Sequence, residues 1–431
     1  NSGAVQINGE FSFCEQGDLG KKSNNIYERR RVILLTALTK TGKKICLGYD
    51  YSKETLLLLR SKEEFVCPIC GETLLLKLGD QRIFHFAHKK VSQCRDIYEN
   101  ETFEHLEGKK QLFQWLIKQK IPSVLEYYDR NIQQRPDILF QFKGQKYSLE
   151  YQCSSISDKV FSKRTRTYLD NGYTPLWIMS SQHPHPKRKD LMTLSNFEYS
   201  FLRSSPSGCL YIPTYCPESH HFQLVESITS LTIKNCFAHL TTYPLESIRL
   251  DSILEPKNTF SLSLSYWKRE LDRVLLNWTL HPQNGQKALL QEVYNKGLNL
   301  FLLPPEIGLP VAHSVLIQTP PFIWQTYLYL DVLANKKLYD FITLDEVKAS
   351  LEKRIYKKQI ILRNLPQIEN ILPITPLIEY LQQLERLGLL MRKGGSIYQL
   401  YATIQIPKSN REKEEAKQIF LSQYGKVLSK F

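Results

Sequence analysis

No run of about 18 apolar residues occurs anywhere in the 431-residue chain, so a membrane-spanning helix is not expected. The longest apolar stretches, Val32-Ile-Leu-Leu-Thr-Ala-Leu38 and Leu56-Leu-Leu-Leu59, are strand-sized. A secretory leader is not expected either. The first stretch follows Arg29-Arg30-Arg31, but it is short, lies well into the chain and lacks a small-residue cleavage site. A cytoplasmic protein is therefore expected. The chain opens at Asn1 rather than Met, which reads as a remnant or a truncated start. Cysteine is sparse and odd in number, nine in all, which argues against a disulfide framework. No internal repeat is present. Acidic residues are outnumbered, 43 against 57 Lys and Arg, leaving a net charge of +14 and favouring a polyanionic partner, nucleic acid first. With 42% apolar and 23% charged residues the chain has the means to bury a core, so fibrous and wholly disordered readings are out. Its length suggests about three domains.

Val32 to Leu38 and Lys44 to Gly48, joined across Gly42, read as a β-hairpin. From Asn100 to about residue 180 the pattern is helix, strand, strand, helix, strand. The polar, proline-rich stretch 181–190 reads as a boundary. The expected division is 1–98, β-rich with a small Cys/His module over 65–94, then 99–190, a mixed region 191–330 of no assigned role, and a mainly helical 331–431.

Only one cysteine cluster is tight. Cys67-Pro-Ile-Cys70 is followed after fourteen residues by His85-Phe-Ala-His88. Two thiols and two imidazoles, each pair separated by two residues, suit a closed structural Zn²⁺ site, with Cys94 as a substitute ligand. Cys209, Cys216, His220, His221, Cys236 and His239 match no zinc spacing and read as core cysteines and exposed histidines.

Carboxylates carry the second pattern. Pro136-Asp137 opens the apolar stretch Ile138 to Phe142, Lys143-Gly144 turns the chain, and residues 145–153 alternate as a strand. Glu150 and Gln152 share one face, and a hairpin would bring Asp137 near Glu150 at its open end. Such a pair would hold Mg²⁺ or Mn²⁺. Upstream, Glu101, Glu104 and His105 share one side of a helix start. Downstream, Ser157 or Asp158 caps a helix carrying the basic stripe Lys159, Lys163 and Arg166 and the pair Arg164 and Tyr168. Beside a metal site that stripe would grip phosphates.

These residues together resemble the competence protein CoiA family. The resemblance rests on Phe65-x-Cys-Pro-x-Cys70 with His85-Phe-Ala-His88, on Glu101-x-x-Glu104-His105-x-x-x-Lys109, and on Arg135-Pro-Asp137. Glu150-x-Gln152-x-Ser154, Phe161-x-x-Arg164-Thr165-x-x-Tyr168 and Trp177-Ile178 complete it. The resemblance implies an α/β protein with a zinc-finger-like N-terminal module, here Cys2His2, and a PD-(D/E)xK nuclease-like core. It also implies a part in recombination of incoming DNA during natural transformation, with DNA and recombination proteins as partners. Asp137 and Glu150 would be the metal-binding acids and Glu101 or Glu104 the helix acid. The motif's usual lysine is Gln152 here. A glutamine supplies no charge, so Lys109 or Lys163 would take over, or hydrolysis would be weak or absent. Lys109, Lys159, Lys163, Arg164 and Arg166 are the expected DNA contacts.

In the last hundred residues, helices from Leu344 and from Thr375-Pro376 precede a Gly-Gly hairpin, residues 389–400. The order resembles a winged helix with Arg392 and Lys393 on its wing. A winged-helix regulator and a protein-interaction module of the same fold are therefore alternatives. So is a DNA-binding accessory protein without chemistry.

Overall fold

The computed structural model describes residues 33–79, 82–89, 94, 102–180, 186–188, 190–256, 261–281, 284–368 and 370–425. The described residues begin with short strands: β1 (Ile33–Leu34), β2 (Thr36–Thr39) and β3 (Lys44–Cys46). Helix α1 (Lys53–Lys62), capped by Ser52, leads to β4 (Phe65–Val66), β5 (Thr73–Lys77) and β6 (His85–His88). They form one antiparallel sheet in the order β1-β6-β5-β4-β2-β3. The expected hairpin is β2–β3, closed by Thr39 N–H on the Lys43 carbonyl at 2.8 Å with Gly42 at φ +84°.

The central layer begins with α2 (Phe103–Lys118), capped by the Thr102 hydroxyl. Strands β7 (Ser123–Leu125), β8 (Ile138–Phe142) and β9 (Gln145–Gln152) follow as an antiparallel meander. The β8–β9 turn places Lys143 and Gly144 both at positive φ, the backbone a two-residue hairpin demands. Helix α3 (Asp158–Asp170) crosses over to β10 (Tyr173–Ser180), parallel to β9. Strand alternation decides which face meets which helix. Leu149 and Tyr151 share a core with Leu106, Phe113 and Leu116 of α2, whereas Trp177 packs with Phe161 of α3. The two helices thus cover opposite faces of the sheet. Gly108 is where α2 crosses Tyr151: a Cβ there would lie 2.2 Å from the ring.

The sheet does not end at the polar stretch. Strands β11 (Pro186–Arg188) and β12 (Leu191–Thr193), the short helix α4 (Asn196–Tyr199), then β13 (Arg203–Ser204), β14 (Leu210–Cys216), β15 (His221–Ser230) and β16 (Asn235–Pro244) follow. The full order is β11-β12-β16-β15-β14-β10-β9-β8-β7, with β13 on β14. Because β14 pairs directly with β10, a domain boundary near residue 190 would cut through the ladder.

Beyond α5 (Leu250–Leu254) the chain is mainly helical: α6 (Leu264–Leu280), α7 (Asn284–Asn295) and α8 (Pro321–Asp331). Then come β17 (Phe341–Thr343), α9 (Leu344–Tyr356), α10 (Thr375–Arg386), β18 (Leu390–Gly394), β19 (Ile397–Leu400) and α11 (Asn410–Tyr424). Helix α8 is buried from Pro321 to Leu330 and shares one core with residues from Leu262 to Phe420, so no break falls near residue 331. Thr343 and Glu346 form a reciprocal capping box on α9. The three strands order as β17-β19-β18. No helix among the described residues is long and apolar enough to cross a membrane.

The approach of α2 to β9 is testable. Gly108→Ala is expected to cost about 1–3 kcal/mol through overpacking against Tyr151. Urea unfolding measures it, and an unchanged midpoint would mean the helix does not lie against the ring.

Candidate functional site

The turn after β4 carries Cys67 and Cys70. Gly71 at φ +74° lets the chain reverse so that Cys67 N–H reaches the Glu72 carbonyl at 2.8 Å, while Ile69 N–H points at Cys67 Sγ at 3.5 Å. His88, at the end of β6, brings Nε2 to 3.4 Å from Cys70 Sγ. Cys94 completes the group: one donor atom from each of Cys67, Cys70, His88 and Cys94 lies within 4.8 Å of the others. Three thiols and one imidazole fit tetrahedral zinc, and such a Cys3His cluster can hold a metal of that kind. His85 is not in the group. Residues three apart on a strand point to opposite faces, so His85 and His88 of β6 cannot both turn to one ion. The His85 ring instead bonds the Ile83 carbonyl through Nδ1 at 2.9 Å and lies against Phe103. Among the described residues, no other three His, Cys, Asp or Glu donors converge in this way, and the scattered Cys209–His239 residues do not.

A buried charge network lies at the mouth of the β8–β9 hairpin. Asp137 sits just before β8 and accepts the Tyr151 N–H at 2.9 Å and His105 Nε2 at 3.1 Å, both through Oδ2. An ionised carboxylate only accepts, so His105 carries its proton on Nε2. Lys109, one turn further along α2, is wholly buried and stands 3.4 Å from Asp137 Oδ1 and 2.7 Å from Glu126 Oε1. Burial alone would raise both carboxyls. Opposing it, His105 and Lys109 hold Asp137 well below the usual carboxylate range, and Lys109 and Arg135 hold Glu126 low. Lys109 is therefore an interior counter-ion rather than a surface phosphate contact.

Glu126 has no forerunner in the sequence reading. It follows β7 at φ +50°, a conformation non-glycine residues rarely take. Its Oε2 accepts the Leu35 N–H at 2.9 Å, the Thr36 N–H at 3.0 Å and the Thr36 hydroxyl at 3.0 Å. One carboxylate thus fastens the β1–β2 junction of the N-terminal sheet to the central layer. The only sequence signal for it was that a lysine in the apolar stripe of α2 needs a buried anion.

Glu150 looks the other way. Paired in register with Trp177, it turns to α3, where Arg164 Nη2 reaches Oε1 at 2.5 Å and the Tyr168 hydroxyl also donates. Burial, then the Glu150 charge, push the Tyr168 phenol well up, so it stays a donor. The Gln152 amide donates to the Ser154 carbonyl at 2.9 Å. Glu104, in the first turn of α2, accepts from the Ser180 hydroxyl at 2.5 Å and borders a cavity of about 410 Å³ with Glu107 and Glu218. Glu101 lies outside the described residues. Asp137 and Glu150 therefore answer to helices on opposite faces, each already holding cationic or hydrogen-bonding partners. As arranged, this donor set does not fit one Mg²⁺ or Mn²⁺ ion. Lys159, Lys163 and Arg166 of α3 are exposed.

Fold and site define a mixed α/β protein with a Cys3His cluster on its N-terminal sheet, a long central sheet holding buried charge networks and a mainly helical C-terminal part, and comparison with known proteins names the three parts. The profile "Competence protein CoiA, N-terminal domain" matches residues 48–96, "nuclease-like domain" 101–258 and "C-terminal domain" 262–413. The nuclease-like match runs past β16, as the continuous sheet does. Competence protein CoiA of Bacillus subtilis (strain 168) is 32% identical over 308 residues, 70% of this chain and 81% of that protein. The chain belongs to the competence protein CoiA family. No solved structure matches it significantly.

Two outcomes follow from the geometry. Purified protein is expected to hold about one zinc per chain. Cys94→Ser should lose it as readily as Cys67→Ser, while His85→Ala should retain it; elemental analysis reversing that pattern would restore the His pair. Glu126 and Asp137 have folded pKa values below their unfolded ones. Their stabilisation is fully present above about pH 5 and drains as pH falls toward the depressed values. Glu126→Gln is expected to be less stable at pH 7 and to show a shallower acid loss in pH-dependent urea unfolding. An unchanged acid profile would remove Glu126 from the network.

Proposed function

We propose that this chain is a competence factor that binds incoming DNA and assists its recombination during natural transformation, using the nuclease-like layer as a phosphate grip. The observation that carries the reading is the exposed row Lys159, Lys163 and Arg166 on the outer face of α3, the helix that holds Glu150 from its other side through Arg164 and Tyr168. Exposed cations on one helix meet a phosphate backbone without first giving up an internal partner. The net charge of +14 supports the same partner, and the printed name of the Bacillus subtilis relative supports the competence setting. Asp137 at the mouth of β8 and Glu150 with Gln152 on one face of β9 support a PD-(D/E)xK ancestry. The partners of both acids and the uncharged Gln152 support binding over hydrolysis. Recombination proteins are the partners this role calls for.

Metal-dependent cleavage is the second reading, favoured by Asp137 staying ionised in the interior, as a metal ligand must. It needs Arg164 and Tyr168 to release Glu150. The C-terminal order α8-β17-α9-α10-β18-β19 supports a winged-helix-like module. Its third helix, α10, is buried or half-buried from Thr375 to Glu385, so that helix has no open face for a groove, although Arg392 and Lys393 on the hairpin are exposed. A regulator reading DNA through α10 is therefore disfavoured.

Fluorescence anisotropy with labelled single- and double-stranded DNA tests the proposal. Affinity should fall steeply with salt. Reversing Lys159, Lys163 and Arg166 to Glu should weaken binding by at least about tenfold and reduce the salt slope by up to about 3, since each lost phosphate contact removes roughly 0.9. No association at low salt would overturn the reading. Cleavage with Mg²⁺ or Mn²⁺ that is abolished in Glu150→Ala would establish the second.

A further inference from the structure

Arg203 of β13 is only 9% exposed, and its Nε and Nη1 atoms are buried with no hydrogen bond or ion pair among the described residues. Its guanidinium stands 5.7 Å over the ring of Tyr211, which cannot take those N–H groups as an anion would. A buried, unpaired guanidinium is costly, and its fixed fork of donors is matched by the oxygens of a carboxylate or phosphate. The residue lines a cavity of about 660 Å³ between the β8–β9 turn, β13, α5 and the residues Gln367, Ile368, Asn370 and Ile371.

Three further features of this cavity bear on what fills it. Gln367 donates through Nε2 to the Ser200 carbonyl at 3.1 Å, yet its Oε1 is buried with no donor among the described residues. The walls on the β8–β9 side are the aromatic rings of Phe142 and Tyr147. Of the charged groups alongside, Lys143 is ion-paired with Asp251 at 2.6 Å, His313 is bonded to Glu379 and Glu255 is exposed to solvent, which leaves Arg203, among the described residues, as the buried charge without a counter-ion. An anionic group for Arg203, an N–H for Gln367 and a flat apolar surface for the rings describe one ligand. The volume is within the ordinary range for small-molecule sites, about 300–1,000 Å³.

We propose that this cavity binds a nucleoside monophosphate group, with the phosphate on Arg203 and a base N–H on Gln367 Oε1. The same chemistry is presented by a free nucleotide and by the phosphorylated end of a DNA strand. The cavity lies at the turn end of the β8–β9 hairpin, whereas Asp137 and Glu150 lie at its open end, so the site is separate from the α3 grip.

Calorimetric titration of the full chain tests it with four probes: deoxyadenosine 5′-monophosphate, deoxyadenosine, and a tetradeoxyadenylate with and without a 5′-phosphate. One-to-one binding of the mononucleotide or of the phosphorylated tetramer is expected, falling at least about tenfold when that phosphate is removed. Mononucleotide binding alone assigns a free nucleotide; phosphorylated-tetramer binding alone assigns a strand end. Arg203→Met should abolish the phosphate dependence, and without ligand it should melt no lower than the parent, because it removes an unpaired buried charge. Should that variant not fold, Gln367→Leu carries the test: a severalfold loss of affinity with the phosphate dependence kept. Charge reversal at Lys159, Lys163 and Arg166 should leave mononucleotide binding unchanged, so failure of the DNA grip and failure of this site are told apart. Binding indifferent to the terminal phosphate, equal binding by Arg203→Met, or no binding of any probe would overturn the proposal.

Discussion

Lys109 puts a full positive charge into the interior, with no exposed surface, between Glu126 and Asp137. Removing an ammonium from water costs several kcal/mol, so the two carboxylates are obligatory rather than ornamental. Three parts of the molecule meet at that ion. Through Glu126 it reaches the β1–β2 junction and so the sheet that carries the Cys3His cluster. Through Asp137 it reaches the Tyr151 N–H and the hairpin mouth. Its own helix lies closely on β9, an approach that Gly108 permits at Tyr151. The Cys3His module and the nuclease-like layer are thus joined by electrostatics buried where salt screens it least.

This arrangement gives the acidic residues a different meaning from the one their order suggests. Two carboxylates at a hairpin mouth repel unless a cation intervenes. Here the cations are protein side chains, Lys109 for one acid and Arg164 for the other. A site neutralised from within has little left to draw in a divalent ion, and the exposed charge of α3 remains available to a polyanion. At the far end of the same sheet the situation reverses. Arg203 is a buried cation with no anion beside it among the described residues, in a cavity separate from the exposed row of α3.

Much of the architecture was legible in the chain. The helix from Leu344 announced itself through Thr343 and Glu346, and the next through Thr375-Pro376, because caps are local chemistry. The β8–β9 hairpin followed from alternation and Lys143-Gly144. Cys67, Cys70 and His88 were found by spacing, but that reading assumed both members of the His pair could face one ion, which a strand forbids. Cys94 takes the fourth position from a segment with no pattern of its own. Glu126 was missed, being a single acid after a short strand whose main-chain partners lie some ninety residues upstream. The strands beyond residue 190 were missed as part of the same sheet because β14 is buried almost throughout and shows no alternation. Arg164 and Tyr168 were recognised as a helical pair, but no sequence rule names Glu150 as what they hold.

The central claim is that Lys109 and Glu126 act as one buried unit. A double-mutant cycle measures this directly, with Lys109→Met, Glu126→Leu and their combination compared by urea unfolding at neutral pH. Each single change strands a buried charge and is expected to cost about 3–5 kcal/mol, while the double change should cost far less than the sum. Additive losses, with no coupling between the two positions, would contradict the account.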